Sequence, residues 1–195
     1  MESGFKLITG AMVTLAIATA SLVVLPYFQL QHVQPPPGLK AYSNAALHGR
    51  AQYISLGCIA CHTQQPRDPQ QAPDGKRGWG RPSVAGDYFY DDPPLLGTMR
   101  TGPDLLNIGA RQPSEDWHLG HLYQPRAYVP GSIMPSYPFL FEVKAKAEPG
   151  DKVVALPPGA APSHSVVVAT PAARDLVSYL QSLDRTYPAI ANLDD

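Results

Sequence analysis

The chain has 195 residues and a formal net charge of −1; 16% of its residues are charged and 44% are hydrophobic. It lacks the basic excess expected of a nucleic-acid-binding protein, and its apolar content excludes a wholly disordered chain. The length fits one domain plus an appendage, and 22 prolines and 16 glycines predict short helices joined by long loops.

The first feature along the chain is an uncharged apolar run from Leu7 to Leu25. As a helix, this run would be about 28 Å long, close to the thickness of the hydrocarbon core of a bilayer. A cleaved secretory signal is the alternative, because Ala18-Thr19-Ala20 resembles a cleavage site. However, the run continues past Ala20, whereas the apolar part of a signal ends before its site. The sequence therefore predicts an uncleaved transmembrane anchor in the lipid bilayer, assigned to residues 1–34.

The basic residues around this span predict its orientation. Lys6 precedes the span, and no Lys or Arg follows it until Lys40. The positive-inside rule then places the N-terminus in the cytoplasm and the rest of the chain on the other side, with Tyr27 and Phe28 near the lipid–water interface. We expect a single-pass membrane protein whose main domain is exported.

A proline-rich linker, residues 35–42, separates the anchor from the main domain, which is assigned to residues 43–195. Its three consecutive prolines predict a stiff, extended spacer. Ser43 is a typical helix N-cap and Gly57 a typical helix stop, which together predict a helix from about Asn44 to Leu56.

This helix leads directly into Cys58-Ile59-Ala60-Cys61-His62, a C-x-x-C-H motif that contains the only two cysteines of the chain. Two thiols at this spacing, followed at once by an imidazole, suit covalent attachment of one haem c through two thioethers, with His62 as proximal iron ligand. A zinc site would need two further clustered Cys or His ligands, and a redox pair would need only the cysteines. Because such haem is attached outside the bacterial cytoplasmic membrane, the motif agrees with export of the domain to the periplasm.

The rest of the domain has fewer clear elements. Residues 64–97 show no helical period and are predicted to be loop, while Ser114 is expected to cap a short helix that ends near Leu122. Thr170 and Pro171 predict the start of a final helix that continues to Leu183.

Between these helices, residues 142–170 are predicted to be an insertion. Two β-prone runs, residues 152–156 and 165–169, flank a Pro-Pro-Gly turn and are expected to pair as a small hairpin. A helix before the haem motif and another near the C-terminus, packed across each other, form the framework of class I cytochromes c. We therefore expect a mainly α protein: one N-terminal transmembrane helix plus a class I cytochrome c-like haem domain with long loops.

A haem iron held by His62 has a second axial position, which a methionine thioether would fill in an electron carrier. Met1 and Met12 belong to the anchor, which leaves Met99 and Met134. Met134 lies between prolines in the segment Ser132–Pro138, which would hold a loop rigid across the haem face. The sequence therefore predicts Met134 as the distal iron ligand.

His118 and His121 are the alternatives for the distal position. They are three residues apart and share one face of the predicted helix, so one of them could complete a bis-histidine iron site. The other interpretation is that both pack beside Trp117 and hydrogen-bond the haem propionates or the backbone, and we favour it.

The proximal side also needs a supporting contact, because a ligating histidine normally donates its second ring N–H to a carbonyl or a carboxylate. Pro103, in Thr101-Gly102-Pro103-Asp104-Leu105, is the expected source of that carbonyl. Arg100 is expected to neutralise a haem propionate by bidentate pairing, with Arg111 and Arg126 as further candidates.

Several segments together resemble a known family, the mono-haem cytochrome c subunit (subunit II) of cbb3-type cytochrome oxidases. The resemblance rests on Arg100-Thr101-Gly102-Pro103-Asp104-Leu105, Trp117-His118, His121-Leu122, Pro125-Arg126, Val129-Pro130, Ser132-Ile133-Met134-Pro135-Ser136-Tyr137 and Asp87-Tyr88-Phe89-Tyr90-Asp91. It covers roughly Tyr53 to Tyr137 and the last helix. The residues just after His62 match the family only in part, and the 142–170 segment departs from it.

The resemblance implies a membrane-anchored electron-transfer subunit that passes single electrons within a respiratory oxidase and performs no substrate chemistry of its own. Its partners would be membrane-embedded oxidoreductase subunits and a soluble electron donor. Two alternatives remain open at the level of the sequence. The chain could serve a different membrane dehydrogenase or reductase, or it could be a haem enzyme or sensor with an open distal site.

Overall fold

The computed structural model describes residues 2–189. Met1, the first residue of the assigned anchor, and residues 190–195, the last of the assigned domain, lie outside the described residues. The described chain is mainly helical and has one small sheet. Its helices are α1 (Glu2–Thr19), α2 (Leu25–Leu30), α3 (Asn44–Ser55), α4 (Ile108–Arg111), α5 (Glu115–Tyr123), α6 (Pro125–Tyr128) and α7 (Pro171–Ser182). Its strands are β1 (Phe141–Lys144), β2 (Lys152–Val153) and β3 (Val166–Ala169).

Helices α1 and α2 form one long apolar helix, interrupted only by a π-helical stretch at Ala20–Val24. Pro26 accounts for the interruption, because proline has no backbone N–H and its ring crowds the carbonyl one turn before it. By length and composition, Ser3–Leu30 could cross a membrane, and it is the one such helix within residues 2–189. The predicted Leu7–Leu25 span lies inside it.

The proline-rich linker packs against the domain. Pro36 is buried. A Cβ at Gly86 would fall 3.0 Å from the Gln34 carbonyl oxygen and 3.2 Å from the Pro36 ring. Gly38 approaches the Tyr187 side chain so closely that a Cβ there would fall 2.5 Å from it. The linker is therefore part of the surface of the domain, a contact that its composition did not predict.

Helices α3 and α7 cross at the centre of the domain. A Cβ at Gly49 of α3 would overlap the Asp175 carbonyl of α7, so this close crossing requires glycine. Beside it, the rings of Tyr53 and Tyr179 meet edge to face with centroids 5.5 Å apart. The predicted packing of the helix before the C-x-x-C-H motif across the C-terminal helix is confirmed.

The predicted helix starts are confirmed in detail. The hydroxyl oxygens of Ser43, Ser114 and Thr170 each accept a hydrogen bond from the backbone N–H three residues later, at 3.2, 3.2 and 3.3 Å. Gly57, which follows the C-terminal end of α3, has a left-handed φ of 71°, a conformation that glycine readily adopts.

The three strands form an antiparallel sheet in the order β1-β3-β2. The predicted pairing between 152–156 and 165–169 is confirmed, although only Lys152–Val153 pairs as a regular strand and the connecting loop is longer than a hairpin turn. Strand β1 was not predicted. It pairs along the other side of β3, with Phe141 opposite Ala169.

The long segment 64–97 is mostly irregular, as predicted, with one 3-10 turn at Ala85–Tyr88. Ion pairs hold it together and fasten it to α3. Within the segment, the fully buried Asp87 accepts two hydrogen bonds from the Arg81 guanidinium at 2.8 and 2.7 Å. Asp91 accepts one from Arg50 of α3 at 3.3 Å, so charge pairing contributes to the position of this loop.

Candidate haem-binding site

The C-x-x-C-H motif forms a tight turn at the end of α3. After Gly57, residues Cys58–Ala60 form one turn of 3-10 helix, and the His62 N–H donates to the Cys58 carbonyl at 3.0 Å. This turn places Cys58, Cys61 and His62 on the wall of one cavity. Both thiols are free.

That cavity has a volume of about 710 Å³, within the range of small-molecule and cofactor sites. Its wall combines apolar side chains with the predicted site residues. The lining residues that carry the argument are Cys58, Cys61, His62, Pro103, Arg111, His121 and Met134. Five of the six residues predicted from the sequence to contact the cofactor thus share one cavity, and Arg100 is the exception.

On one side of the cavity, the His62 ring is held by a single strong contact. Its Nδ1 lies 2.7 Å from the Pro103 carbonyl oxygen. Because a carbonyl can only accept, Nδ1 must carry the proton, which leaves the lone pair on Nε2. Burial lowers the pKa of His62, and the Pro103 carbonyl opposes that shift. A neutral imidazole with a free Nε2 lone pair is the form that binds a metal.

Backbone hydrogen bonds fasten the motif to the 101–105 segment. The Gly102 N–H donates to the Cys61 carbonyl at 2.9 Å, and the Leu105 N–H donates to the Thr63 carbonyl at 2.8 Å. The fully buried Asp104 carboxylate accepts from the Thr63 hydroxyl at 2.5 Å and from the Gln65 N–H at 2.7 Å. Cys61 and Thr63, the neighbours of His62 in the sequence, are therefore both tied to the segment that carries Pro103.

Gly102 completes the support of the His62 ring. A Cβ at this position would overlap the imidazole, so only glycine lets the backbone lie against the ring face. This contact explains why a glycine stands between Thr101 and the proline that accepts the hydrogen bond.

Met134 also lies in the cavity wall, in a loop tied to α5. The Met134 N–H donates to the Ser132 hydroxyl at 3.2 Å, and the Tyr137 N–H donates to the Leu122 carbonyl at 3.0 Å. Met134 lines the cavity, whereas the side chain of Met99 is 58% exposed and does not line it. Of the two methionines considered from the sequence, only Met134 lines the cavity that His62 also lines.

Arg100 lies outside the cavity. Its guanidinium donates to the Asp74 carboxylate at 2.5 Å and to the Gln65 carbonyl at 2.8 Å, and it lies over the Trp79 ring at 5.5 Å from the centroid. Arg111 is the arginine that lines the cavity. A propionate contact by Arg100 stays a prediction, and the ion pair with Asp74 competes with it.

The two histidines of α5 have different surroundings. His118 is buried, and its Nε2 donates to the Gln112 carbonyl at 2.8 Å, which is the backbone contact favoured from the sequence. His121 stacks on Trp117 with ring centroids 4.5 Å apart and an interplanar angle of 8°. Both histidines line the cavity.

The state of the thiols bears on the competing interpretations of the motif. Burial raises the pKa of Cys58 to about 11, so at neutral pH it is a protonated thiol and not the low-pKa thiolate of a redox pair. Within residues 2–189 no group of three or more His, Cys, Asp or Glu side chains could hold a metal ion, which disfavours the zinc interpretation.

The residues present fit a covalently held haem. The glycine cradle and the Pro103 contact hold His62 with its Nε2 lone pair free, both thiols reach the cavity wall, and a thioether lies in the same wall. Sequence reasoning missed the roles of Thr63 and of Gly102. The signal for Gly102 was present in the Thr-Gly-Pro string, but nothing local indicated that Thr63 would meet Asp104.

Comparison with known families gives one match. The family model described as "Cytochrome C oxidase, mono-heme subunit/FixO" matches residues 2–156, well over half of the chain. The match includes the long apolar helix and every residue discussed for the cavity wall. No curated protein matches the chain.

Proposed function

We propose a function from the premise that this chain belongs to the cytochrome c oxidase mono-haem subunit/FixO family. Membership implies a haem-carrying subunit that transfers electrons in a cytochrome oxidase. The proposal adds how the haem is held: one haem, bound covalently through Cys58 and Cys61, with His62 and Met134 as the axial iron ligands.

One observation carries this proposal. A single cavity brings the two free thiols, the His62 imidazole and the Met134 thioether together, although they are separated by up to 76 positions in the chain, from 58 to 134. Such a set has no simpler use in the described chain, because the thiols form no disulfide and take part in no metal cluster. The bound haem would supply reversible one-electron redox chemistry.

The residues of the chain have distinct tasks around that chemistry. Pro103 fixes the tautomer and the direction of His62, and Gly102 holds the face of its ring. Leu56, Leu105, Ile108 and Leu122 line the wall and exclude water, which favours a high potential. The Met134 loop supplies a ligand that suits both oxidation states of iron, so electron transfer needs little rearrangement.

The long apolar helix is proposed to anchor the subunit in the bacterial cytoplasmic membrane. Its 28 residues from Ser3 to Leu30 carry a single basic residue, Lys6, near the N-terminal end. The next Lys or Arg is Lys40, so the charge distribution favours a cytoplasmic N-terminus and a periplasmic haem domain. The partners would then be the membrane-embedded oxidase subunits and a soluble electron donor.

Exchange of the two methionines outside the anchor tests the ligand assignment. Full-length protein, purified in detergent from cells that attach haem, is expected to retain porphyrin after acid–acetone extraction. Met134→Leu should then lose the sulfur–iron absorption band and lower the midpoint potential, because a thioether ligand favours the reduced iron. Met99→Leu is the matched control and should leave both unchanged.

Two results would contradict the proposal. Absence of covalently retained porphyrin from the wild-type chain would remove the haem site itself. A Met134→Leu spectrum identical to that of the wild type would mean that haem is bound but that Met134 is not its ligand. An open-site haem enzyme or a bis-histidine centre would give this result.

A further inference from the structure

The two ring nitrogens of His121 have different surroundings. Its Nδ1 is buried and has no hydrogen-bond partner among the described residues. Its Nε2 makes no hydrogen bond within residues 2–189 either, but it does not belong to the buried unpartnered atoms, so it is accessible. His121 lines the cavity, so a cofactor bound there would meet its ring, and Nε2 is the ring nitrogen that remains accessible.

The ring of His121 cannot easily turn to exchange its two nitrogens. Trp117 stacks against one face in a nearly parallel arrangement, 8° between planes. The Tyr128 ring approaches edge-on, at 6.3 Å between centroids and 80° between planes. Tyr128 is itself fixed, because its hydroxyl donates to the Ala155 carbonyl at 2.7 Å. The accessible nitrogen is therefore held in place.

The buried nitrogen decides where the proton of His121 resides. A proton on Nδ1 would be a buried donor without an acceptor, which costs about 1–3 kcal/mol and is rare in folded proteins. A proton on Nε2 can be satisfied from the cavity. Burial also lowers the pKa of His121 to about 4, so the ring is neutral at pH 7. The favoured form is neutral with an Nε2–H.

This tautomer distinguishes His121 from His62. His62 has its Nδ1 proton satisfied by Pro103 and its Nε2 lone pair free, as an iron ligand requires. If His121 bound iron through Nε2, its proton would have to move to the buried Nδ1, where no acceptor lies within the described residues. The same ring can instead donate a hydrogen bond without any rearrangement.

His121 also lies on the Met134 side of the cavity. Its neighbour Leu122 accepts the backbone hydrogen bond from Tyr137, and Gln124 accepts one from the Ser136 hydroxyl at 3.2 Å. The loop that carries Met134 is thus fastened to the helical turn that carries His121.

We propose that His121 is a positioning residue of the haem site that presents its Nε2–H as a hydrogen-bond donor to the bound group on the Met134 side, and that it is not an iron ligand. The inference rests on the proposed function. The acceptor is an electron-rich atom that the loaded site brings into the cavity, either the iron-bound sulfur of Met134 or a carboxylate of the ring. In both cases the donor withdraws electron density and favours reduced iron.

The test uses full-length, haem-loaded protein and three variants. His121→Phe keeps an aromatic ring on Trp117 but removes the donor, and His121→Gln restores a donor without the ring. Tyr123→Phe is the matched control, because it removes a hydroxyl from the same helix at a ring that packs on Phe141 and does not line the cavity. Haem content, the absorption spectrum and the midpoint potential are measured for each.

We expect a low-spin six-coordinate spectrum from every variant. His121→Phe should shift the midpoint potential downward, His121→Gln should return it toward the wild-type value, and Tyr123→Phe should leave it unchanged. A simultaneous change in the sulfur–iron band identifies Met134 as the acceptor, whereas an unchanged band identifies a ring carboxylate.

Three results would overturn the inference. The first is a His121→Phe potential equal to that of the wild type. The second is loss of the six-coordinate spectrum in His121→Phe together with its retention in Met134→Leu, which would make His121 the ligand. The third is loss of haem from both His121 variants but not from Tyr123→Phe, because a donor to the group is not needed for its attachment. A wild-type chain without covalent porphyrin would instead refute the proposed function.

Discussion

The hydrogen bond between Thr63 and Asp104 allows a quantitative test of how the His62 turn is held. Thr63 is fully buried, and its hydroxyl donates to a carboxylate oxygen that also accepts from the Gln65 N–H. Thr63→Val has nearly the same shape but no donor. Because a hydrogen bond to a charged group contributes about 1.5–3 kcal/mol, we expect the free energy of unfolding to fall by that amount at neutral pH.

The pH dependence of this loss follows from the state of Asp104. Burial raises the pKa of Asp104, and the Thr63 hydroxyl is the strongest opposing contact, so Thr63→Val should raise this pKa further. A carboxyl whose pKa is higher in the folded than in the unfolded state takes up a proton on folding, so its contribution to stability falls as the pH rises through that window. The difference in unfolding free energy between the wild type and Thr63→Val should therefore be largest near pH 7. It should become smaller in acid, where Asp104 is protonated in both proteins.

Thermal unfolding followed by circular dichroism measures both effects. For a domain of this size, a loss of about 1.5–3 kcal/mol corresponds to a fall in Tm of roughly 3–12 °C. Thr63→Ser keeps the hydroxyl and should recover most of the loss. Thr98→Val makes the same chemical change at an exposed position outside the cavity wall, with no side-chain hydrogen bond within residues 2–189. An equal fall in Tm for Thr98→Val, or a Thr63→Val loss independent of pH, would refute the reasoning.

Two further substitutions probe the surroundings of the site. Gly102→Ala should displace the His62 ring and sharply reduce haem retention, measured as porphyrin per protein, whereas Gly75→Ala, whose Cβ would meet nothing closer than 3.8 Å, should not. Burial alone would raise the pKa of Asp74, but hydrogen bonds from Arg100 and Arg67 outweigh burial and lower this pKa. The ionised carboxylate therefore stabilises the fold above its unfolded pKa, and this contribution is lost as the pH falls through the folded pKa. Arg100→Gln should therefore cost roughly 3 kcal/mol at pH 7 and less in acid, with an unchanged haem spectrum; an altered spectrum would instead favour a propionate contact.

The helix boundaries were predictable because their causes are local. The hydroxyl of Ser43 or Thr170 accepts a hydrogen bond from a backbone N–H three residues away. The left-handed conformation of Gly57 ends its helix whatever direction the chain takes afterwards. The C-x-x-C-H motif is equally local, and its five consecutive residues form the turn that places both thiols and His62 on the cavity wall. Strand β1 also had a local signal, the alternating Phe-Glu-Val-Lys, but four residues are too few to distinguish a strand from a loop.

The contacts that decide the surroundings of the cavity have no local signal. Arg100 was assigned to a propionate because of its position beside the Thr-Gly-Pro string, yet a buried carboxylate from Asp74 lies beside its guanidinium. The proton of His121 is likewise set by packing, since Trp117 and Tyr128 orient a ring whose two nitrogens are equivalent in the sequence. Composition and spacing identify the residues at a site, but only the fold determines what each of their atoms meets.

The small sheet helps to explain how the Met134 loop is held at the cavity wall. After Tyr137 donates to Leu122 of α5, the chain is fastened again at Leu140, whose carbonyl accepts from the N–H and the hydroxyl of Thr170 at 3.1 and 2.8 Å. Thr170 is also the N-cap of α7, which crosses α3 just before the C-x-x-C-H turn. The chain that follows Met134 is thus tied first to α5 and then to the start of α7, the helix that crosses α3 beside the His62 turn. In the proposed one-electron carrier, this coupling would hold Met134 at a fixed distance from His62 while the charge of the iron changes.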